Sequence, residues 1–464
     1  MKLYLKECKK IAESVIYYFF IAILVFSWFQ NFRGVTKTEI NWEKGIPPAD
    51  IGFERSLLSK PSEEDDYFGS KVSEDDPAAI MMGVTRALLS EYESNRYATY
   101  PLGYYKAITL SDDEQKRVLE ILCEITGLTE EQLKDLPEDY FPAVTGTIIS
   151  FDAMSVDENG NLNTVMGNKA DTESGDDKYK HFVSRVTYEH FKELMQEMEN
   201  MIGENGSRYS PEMMITYFGM SEMTYEEACE EYNQTINKDK VTGGFARLFC
   251  DYMGLELGLY PIFLVVLIWM KDRMGNASEL IYSKKISSAK LVVLRYLASI
   301  TMVLLPVLLL SLESLVPLIS FGAKKGISVD YFAYIKYILW WLLPEVMAVS
   351  AIGIFFTLLT DSPIAIAIQF LWWMVDKGVT GLSGDTGAAT FMIRHNTLRG
   401  YEVIQDGFQM ICRNRLLMAG ISILFVILSI WVLKFKRKGK INAANFYHRF
   451  LGHMQDKLSF GSKK

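Results

Sequence analysis

Cysteine and histidine are scarce in this sequence. Its 464 residues include five of each, and no two cysteines form a C-x-x-C pair. Three cysteines, Cys123, Cys229 and Cys250, lie in the first half of the chain or close to its middle. An odd group without metal-ligand spacing is neither a disulfide framework nor a zinc site. We therefore expect free thiols, most of them buried, and no metal centre.

Sequence motifs for catalysis are also missing. The chain has no G-x-x-x-x-G-K-[ST] phosphate loop, no H-E-x-x-H pair and no G-x-S-x-G turn. It therefore cannot hydrolyse ATP through a phosphate loop, and a membrane-bound hydrolase would lack a convincing nucleophile and base. No small-x-small cleavage site follows the first hydrophobic stretch, so we expect that stretch to be an uncleaved anchor.

Positive charge is depleted between residues 31 and 250. That range has 21 Lys and Arg against 42 Asp and Glu, a net charge of −21, whereas the rest of the chain carries a net +12. Phosphate contacts need Lys and Arg, so the range argues against nucleic acid as a partner and against docking on anionic lipid. It also contains no apolar run long enough to span a bilayer. We interpret it as a separate acidic domain.

Long apolar runs are present elsewhere in the chain. A membrane-spanning helix needs about 20 mainly apolar residues, and six segments reach or approach that length. They are 11–31, 253–271, 291–312, 332–359, 362–380 and 415–434. The fifth segment is the weakest, because Asp376 and Lys377 interrupt it near its end.

Basic residues indicate the orientation of these segments. An excess of Lys and Arg marks the cytoplasmic side of a membrane protein. Three stretches are basic: the N-terminus, residues 271–295 and the residues after the last apolar segment. With six crossings all three lie inside and the acidic domain lies outside. The loop 381–414 would then be an outer loop, and we expect its arginines to pack on the helix ends.

The expected fold is a membrane all-α protein with six transmembrane helices and a mainly helical α+β extracellular domain between helices 1 and 2. The expected location is a bacterial plasma membrane, with both termini in the cytoplasm. The predicted parts are the N-terminus with helix 1 (1–31), the acidic extracellular domain (32–250), helices 2–6 (251–435) and a basic cytoplasmic tail (436–464).

Helix signals recur in the acidic domain. Capping boxes begin at Ser111, Thr129 and Thr224, each with Glu or Gln three residues later. Apolar residues at helical spacing follow the first box, and a second apolar face follows Thr187. These predicted faces are Val118, Ile121, Leu122 and Ile125, and Phe191, Leu194, Met195, Met198 and Met201.

Some polar features of this domain allow both a structural and a ligand-binding role. The sequence D-E-N-G-N at 157–161 lies between the strand-like runs Val144–Ala153 and Leu162–Met166, and its N-G pair predicts a hairpin or loop. Its oxygen-bearing side chains could instead bind calcium, although an EF-hand needs its glycine one place later. His181 and His190 could be metal ligands or a base, or simply packed or solvent-facing side chains.

A short basic segment, Lys271 to Lys290, separates the second and third apolar segments. Within it a short helix is expected, and Leu280, Ile281 and Tyr282 would form its apolar face. An amphipathic segment of this kind can dock into a groove of a cytoplasmic partner. It can equally be a solvated loop whose charge only reflects insertion topology. The residue pattern allows both interpretations.

The run Glu279-Leu-Ile-Tyr-Ser-Lys-Lys-Ile-Ser-Ser-Ala-Lys-Leu-Val resembles the linker of ABC-2 type exporter permeases. In that family this linker forms the coupling helix that contacts a nucleotide-binding ATPase. The layout of cytoplasmic N-terminus, six helices and outer loop before the last helix is similar too. So are Ile393-Arg-His-Asn396, Arg413-Asn-Arg415 and the basic tail. The resemblance covers roughly 1–31 and 250–440, and the acidic insert departs from the compact members.

The resemblance implies a permease subunit of an ATP-driven exporter, which is not itself an enzyme. ATP and Mg²⁺ would bind in a separate nucleotide-binding ATPase subunit, and a second permease, identical or a paralogue, would complete the path through the lipid. The alternative function is a membrane-anchored extracellular ligand-binding sensor or assembly protein without transport activity. The implied ATPase-coupling residues are Glu279, Leu280, Ile281, Tyr282, Lys284 and Lys285.

One ionisable residue lies in the middle of the fourth apolar segment. Glu345 follows Pro344, which removes a helical hydrogen bond and can leave a carbonyl free. An ionisable group at membrane depth suggests function, so Glu345 is a candidate for a translocation pathway. It could also be a buried carboxyl group, protonated or paired, that fixes the packing of the helices.

Overall fold

The structure is a computed structural model. The residues it describes are 2–37, 60–65, 67–100, 104–137, 140–141, 154–156, 162–164, 182–203, 207–275, 285–380, 390–395, 398 and 400–440. They form two compact units. We call Met1–Pro61 together with Cys229–Lys464 the membrane unit, and Ser62–Ala228 the insert unit.

Helices dominate both units. In chain order they are α1 (Lys2–Ala12), α2 (Val15–Lys37), α3 (Pro77–Ser94), α4 (Asp112–Thr126), α5 (Glu130–Leu133), α6 (Tyr188–Ile202), α7 (Pro211–Phe218), α8 (Tyr225–Asn233), α9 (Thr242–Leu257), α10 (Pro261–Met274), α11 (Ser288–Lys325), α12 (Ala333–Tyr337), α13 (Leu343–Thr360), α14 (Ile364–Thr380), α15 (Tyr401–Asp406) and α16 (Phe408–Arg437). The π-helical turns Gln234–Lys238 and Ile338–Leu342 precede α9 and α13. The strands are β1 (Ser70–Val72), β2 (Tyr97–Thr99), β3 (Lys106–Ile108), β4 (Met154–Val156), β5 (Leu162–Thr164) and β6 (Met220–Glu222).

Several helices of the membrane unit are long and apolar enough to cross a bilayer. Among the described residues four such spans occur, and the bent pair α9 and α10 adds a fifth if it counts as one span. The four spans are Val15–Phe32, Ser288–Lys324, Ala333–Thr360 and Phe408–Arg437. Mostly helical structure with little sheet and these apolar spans agree with the predicted membrane all-α class.

The fifth predicted segment is a short helix. α14 has 17 residues, about 25 Å at 1.5 Å per residue, against about 30 Å of hydrocarbon. Asp376 and Lys377 shorten its apolar part further. A crossing by α14 therefore does not follow from its length.

The second predicted segment, 253–271, is broken in the structure. α9 ends at Leu257, α10 begins at Pro261, and the two helices are bent by 41°. Proline has no N–H to donate, and its ring clashes with the preceding turn. The break at Gly258–Tyr260 therefore follows from the proline, which the apolar pattern alone does not reveal.

The third predicted segment, 291–312, is the core of a longer helix. α11 has 38 residues, about 57 Å, so it extends well beyond the hydrocarbon thickness. Pro306 and Pro317 lie inside it without ending it. Proline is tolerated in such helices where side chains and neighbouring helices satisfy the freed backbone groups.

Contacts between side chains show that α2 and α11 run in the same direction. Tyr17 Oη donates to Met302 O at 3.0 Å, and Trp28 Nε1 donates to Ser314 Oγ at 3.2 Å. The contacts advance along both helices together. Two helices that cross a membrane in this arrangement begin on the same side.

α13 and α16 are also parallel to each other. Glu345 near the start of α13 faces Arg415 near the start of α16, and Asp361 after the end of α13 pairs with Lys436 at the end of α16. The long contact between them forms much of the core of the membrane unit, with Val349, Ile352 and Met418 buried.

α11 runs opposite to α16, and α14 runs opposite to the α9–α10 pair. Arg437 donates to Ile286 O, whereas further along α11 Tyr296 Oη lies 2.8 Å from Ser422 Oγ. The contacts made by α14, described with the site below, show the same reversal. A Cβ atom added to Gly254 of α9 would meet Glu345, and one added to Gly353 of α13 would meet Ile262 of α10, so α13 is parallel to the α9–α10 pair. Helix direction therefore alternates between α11, α13 and α14 along the chain.

The insert unit has an apolar core of its own. Helices α3, α4 and α6 contribute most of it, together with Tyr97 and Tyr209. Of the predicted faces, all four residues after Ser111 are buried, and so are all those after Thr187 except Met201, which is partly buried. The predicted amphipathic helices are thus confirmed.

The predicted capping boxes are confirmed as well. Ser111 and Thr129 each exchange hydrogen bonds with the residue three places later, and Thr224 N donates to Glu227 Oε2 at 3.0 Å. Among the described residues the strands form three separate two-stranded antiparallel sheets, β1–β6, β2–β3 and β4–β5. β4 and β5 flank the predicted turn, with Val156 opposite Leu162. Residues 157–161 and all of Val144–Ala153 lie outside the described residues.

Candidate functional site

The predicted coupling segment lies almost entirely outside the described residues. Glu279, Leu280, Ile281, Tyr282 and Lys284 fall in the range 276–284, which the structure does not describe. Lys285 is described and exposed. It precedes Ser287, whose side chain caps α11 by accepting from the Lys290 backbone N–H.

Ion pairs hold the helix ends on both sides of this segment. Asp272 in the last turn of α10 pairs with Lys10 of α1 at 2.6 Å and with Arg295 of α11 at 2.6 Å. Arg295 is buried, faces Glu7 at 3.3 Å, and stacks 4.6 Å from the ring centre of Trp269. Breaking a buried pair leaves an uncompensated charge and is costly. The network therefore fixes α1, α10 and α11 together at the base of the loop.

The end of α16 is joined to the same region. Arg437 donates to the carbonyl oxygen of Ile286, the second residue after the undescribed range. Lys436 pairs with Asp361 at 2.5 Å. A shift of residues 285–287 would therefore act on α16 as well as on α11.

Glu345 occupies a different part of the membrane unit. It lies in the first turn of α13, directly after a π-helical turn, and its exposed fraction is 0%. The nearest ion-pair partner is Arg415, with Nη1 3.6 Å from Glu345 Oε2. Within the described residues neither carboxylate oxygen of Glu345 has a hydrogen-bond partner.

The helix break between α9 and α10 lies against this carboxyl group. A Cβ atom added to Gly258 would lie 3.1 Å from Glu345 Oε1, and one added to Gly254 would lie 3.5 Å from Oε2. Ring carbons of Trp373 and Phe391 lie 3.1 and 3.2 Å from the same Gly258 position. Side chains larger than glycine would therefore crowd the acid from the α9–α10 side.

α14 holds the break in place. Gln369 Nε2 donates to Gly258 O at 2.6 Å, and Trp373 Nε1 donates to Leu255 O at 2.9 Å. These two bonds satisfy backbone carbonyls that the broken helix leaves without a helical partner. The donors advance along α14 while the acceptors go back from Gly258 to Leu255, so α14 is antiparallel to α9 and α10.

The segment that follows α14 is fixed to the same centre. Asp376 accepts hydrogen bonds from the backbone N–H groups of Phe391 and Met392 at 2.7 and 2.8 Å. Arg415 donates to Phe391 O at 2.8 Å, and Asn414 donates to Thr390 O at 2.5 Å. Residues 390–392 thus bridge α14 and α16 beside Glu345.

Two buried arginine–aspartate pairs lie along α9. Arg247 meets Asp239 at 2.8 and 3.1 Å and donates to Leu398 O at 3.0 Å. Arg394 Nε lies 2.9 Å from Asp251 Oδ1, and the His395 backbone N–H donates to Asp251 Oδ2 at 2.7 Å. Of the arginines in the 381–414 loop, Arg394 is buried, but it packs against Asp251 inside α9 and not on a helix end. Arg413 is exposed, and Arg399 lies outside the described residues.

Sequence reasoning pointed to Glu345 but not to its partners. Arg394 and Arg415 lie in the stretches Ile393–Asn396 and Arg413–Arg415, and the structure gives both a buried carboxyl neighbour. Gly258 and Gln369 carry no signal of their own, since a helix break and its satisfaction depend on tertiary contacts. Pro261 was the signal available for the break.

The histidines and the possible calcium ligands of the insert unit do not form such a centre. His181 and residues 157–161 lie outside the described residues. His190 Nε2 lies 2.7 Å from Glu124 and Nδ1 lies 3.0 Å from Glu193. The hydrogen bond to Glu124, which has the larger effect, and the hydrogen bond to Glu193 both raise the pKa of His190. Among the described residues no group of three or more His, Cys, Asp and Glu could hold a metal ion.

Comparisons of the chain with family models, with curated proteins and with solved structures find no match. Function is therefore inferred from the sequence features and from the geometry of the membrane unit. That geometry has two parts: a tied loop base formed by α1, α10, α11 and α16, and a buried polar centre around Glu345. An ionisable centre beside a broken helix is the kind of place where membrane proteins carry function.

Proposed function

We propose that this chain is the permease subunit of an ATP-driven exporter of the ABC-2 type. In this proposal it crosses the membrane six times, with both termini in the cytoplasm and the insert unit outside. A separate nucleotide-binding ATPase binds residues 279–285, and a second permease copy or paralogue completes the path. The insert unit receives, selects or gates the substrate.

The alternation of helix direction supports six crossings. α2 and α11, the first and third crossings, are parallel, and so are α13 and α16, the fourth and sixth. α11 is antiparallel to α16, and α14, the fifth crossing, is antiparallel to the α9–α10 pair, which would be the second. In this order α14 crosses despite its 17 residues. Local thinning of the bilayer and flanking polar residues accommodate a short span at modest cost.

The tied base of the loop is the observation that carries the proposal. A coupling segment transmits closure of the ATPase only if its movement displaces the transmembrane helices and is not lost in flexible connections between the segment and those helices. Here Asp272, Arg295 and Ile286 connect the loop ends to α1, α11 and α16. A displacement of the loop would therefore reach three helices together and bias them between two states.

Co-expression with the nucleotide-binding ATPase encoded nearest to this chain tests the proposal. The wild-type permease should retain the ATPase through purification and alter its rate of ATP hydrolysis. The triple variant Leu280→Asp, Ile281→Asp, Tyr282→Asp should reach the membrane normally and lose this effect, because it removes the apolar face that the sequence predicts for this segment. Lys290→Asp, an exposed change of charge close by, is the matched control and should behave as wild type.

The outcome also separates the two functions. A sensor or assembly protein would neither hold the ATPase nor change its activity, whatever stands at 280–282. Equal ATPase coupling in the wild type and the triple variant would remove the docking role of the segment.

A further inference from the structure

Glu345 differs from Asp239 and Asp251, two other buried acids of the membrane unit, in the hydrogen bonds that its carboxyl group accepts. Asp239 accepts an Arg247 N–H group at 2.8 Å, and Asp251 accepts the His395 backbone N–H at 2.7 Å. Those distances are typical of charge-assisted hydrogen bonds. Arg415 approaches Glu345 only to 3.6 Å, and neither Glu345 oxygen has a hydrogen-bond partner among the described residues.

Arg415 is engaged elsewhere. Its Nη1 donates to Trp341 O at 2.7 Å, its Nη2 to Phe391 O at 2.8 Å, and its Nε to Asn414 Oδ1 at 2.8 Å. Three neutral acceptors therefore hold the guanidinium group in place without help from the carboxyl group. An ionised Glu345 would be expected to draw at least one of these N–H groups into a short bond.

The surroundings of Glu345 do not replace the missing bonds. The α9–α10 side offers the backbone of Gly254 and Gly258, with aromatic carbons of Trp373 and Phe391 beside them. An ionised carboxylate buried without compensating hydrogen bonds is very costly, and such a group takes up a proton instead. No metal-ligand set of the described residues includes Glu345, so a proton is the cation that fits without further ligands.

We propose that Glu345 is a proton-binding site, occupied in the state described here. The site is independent of ATP-driven export and would exist in a sensor as well. The charged and titratable groups around Glu345 are Arg415 on α16, Arg394 after α14, Asp376 on α14, and Cys250 and Asp251 on α9.

Infrared difference spectroscopy of the full-length protein in detergent tests the proposal directly. At neutral pH the wild type should show a carbonyl stretching band of a protonated carboxylic acid, which shifts in D₂O. Glu345→Gln should lack that band. Glu402→Gln, which removes an acid paired with Lys238 at 3.5 Å and more than half exposed, is the control and should keep it. A wild-type spectrum without a band that depends on Glu345 would overturn the proposal.

Thermal unfolding gives a second readout. Glutamine has the shape of the neutral acid, so Glu345→Gln should move the unfolding midpoint by less than roughly 3 °C. If Glu345 were ionised and paired, the same change would strand a buried Arg415 and lower the midpoint by roughly 10 °C or prevent folding. Either of these results contradicts proton binding.

The pH dependence has a defined sign. The unfolded chain releases the Glu345 proton above about pH 4.3, whereas the folded protein retains it, so the folded state binds more protons over this range. Wild-type stability should therefore fall as pH rises above that value, and the part of the slope due to Glu345 should be missing in Glu345→Gln. Equal slopes in the two proteins would count against the site.

Discussion

Arginine has opposite roles in the two units of this protein. In the membrane unit Arg247, Arg394 and Arg415 are at most 2% exposed and reach carbonyl oxygens and buried acids. In the insert unit Arg117 pairs with Glu197 at the surface, with side chains 36% and 41% exposed. Helix association in lipid gains little from apolar burial, so polar contacts and close packing specify it. In the insert unit the apolar core performs that task.

The contribution of an ion pair to stability therefore depends on whether the pair is buried or exposed to water. A surface pair contributes about 0–1 kcal/mol. Truncating one member of a buried pair costs about 3–5 kcal/mol, because the other charge stays behind without compensation. The stability of the membrane unit can be measured separately from that of the insert unit. All eight tryptophans lie outside 62–228, so their fluorescence reports on the membrane unit alone.

The largest effect is expected at Arg394. Arg394→Met should destabilise the membrane unit by about 3–5 kcal/mol, because it leaves the Asp251 carboxylate buried without its guanidinium group. Tryptophan fluorescence during unfolding in detergent measures it. The double variant with Asp251→Asn should recover part of the loss. An unchanged midpoint for Arg394→Met would show that the pair is not held as described.

The apolar core of the insert unit should respond almost as strongly. Leu122→Ala removes a fully buried side chain of α4 and should cost about 2–5 kcal/mol through lost burial and the cavity left behind. Amide hydrogen exchange in α4 and α6 reports this unit, which has no tryptophan. Leu119→Ala, at a partly buried position of the same helix, is the control and should cost less. Similar losses for both would contradict the described core.

Local patterns and long-range pairs differed in how far the sequence revealed them. The capping boxes at Ser111, Thr129 and Thr224 depend on residues three places apart, and the structure confirms them. Asp251 and Arg394 are 143 residues apart, and no local pattern relates them. The apolar run 253–271 likewise predicted one continuous helix. Hydropathy indicates which residues suit lipid, but it carries no information on the backbone break that Pro261 imposes.

The same limit applies to the site. Glu345 was conspicuous as an acid inside an apolar run, and the structure places it in a buried centre. Its glycine neighbours and the amide of Gln369 depend on how α9, α14 and α16 meet, which no spacing rule supplies. A polar centre of this kind is consequently found from the tertiary contacts in the structure. The helices that carry it are found from the apolar pattern of the sequence.

A small effect is expected at the matched surface pair of the insert unit. Arg117→Met should cost at most about 1 kcal/mol, because water screens both partners. Arg117 lowers the pKa of Glu197, so the pair contributes above the unfolded pKa of glutamate and its contribution is lost as pH falls through the lower folded pKa. Hydrogen exchange in α4 and α6 measures the change. A loss as large as that at Arg394 would remove the contrast between the units.

The smallest effect is expected at His190, which joins α4 to α6 at the surface of the insert unit. Its bonds to Glu124 and Glu193 raise its pKa in the folded chain, so their contribution is complete below the unfolded value of about 6.5. It is lost as pH rises through the higher folded pKa. Hydrogen exchange of α4 and α6, compared between wild type and His190→Gln at each pH, should therefore show a difference at about pH 6 that shrinks by about pH 8.5. A difference that grows with pH would mean that neutral His190 makes the stabilising contacts, and the two carboxylates would then be accepting from a single ring N–H in turn.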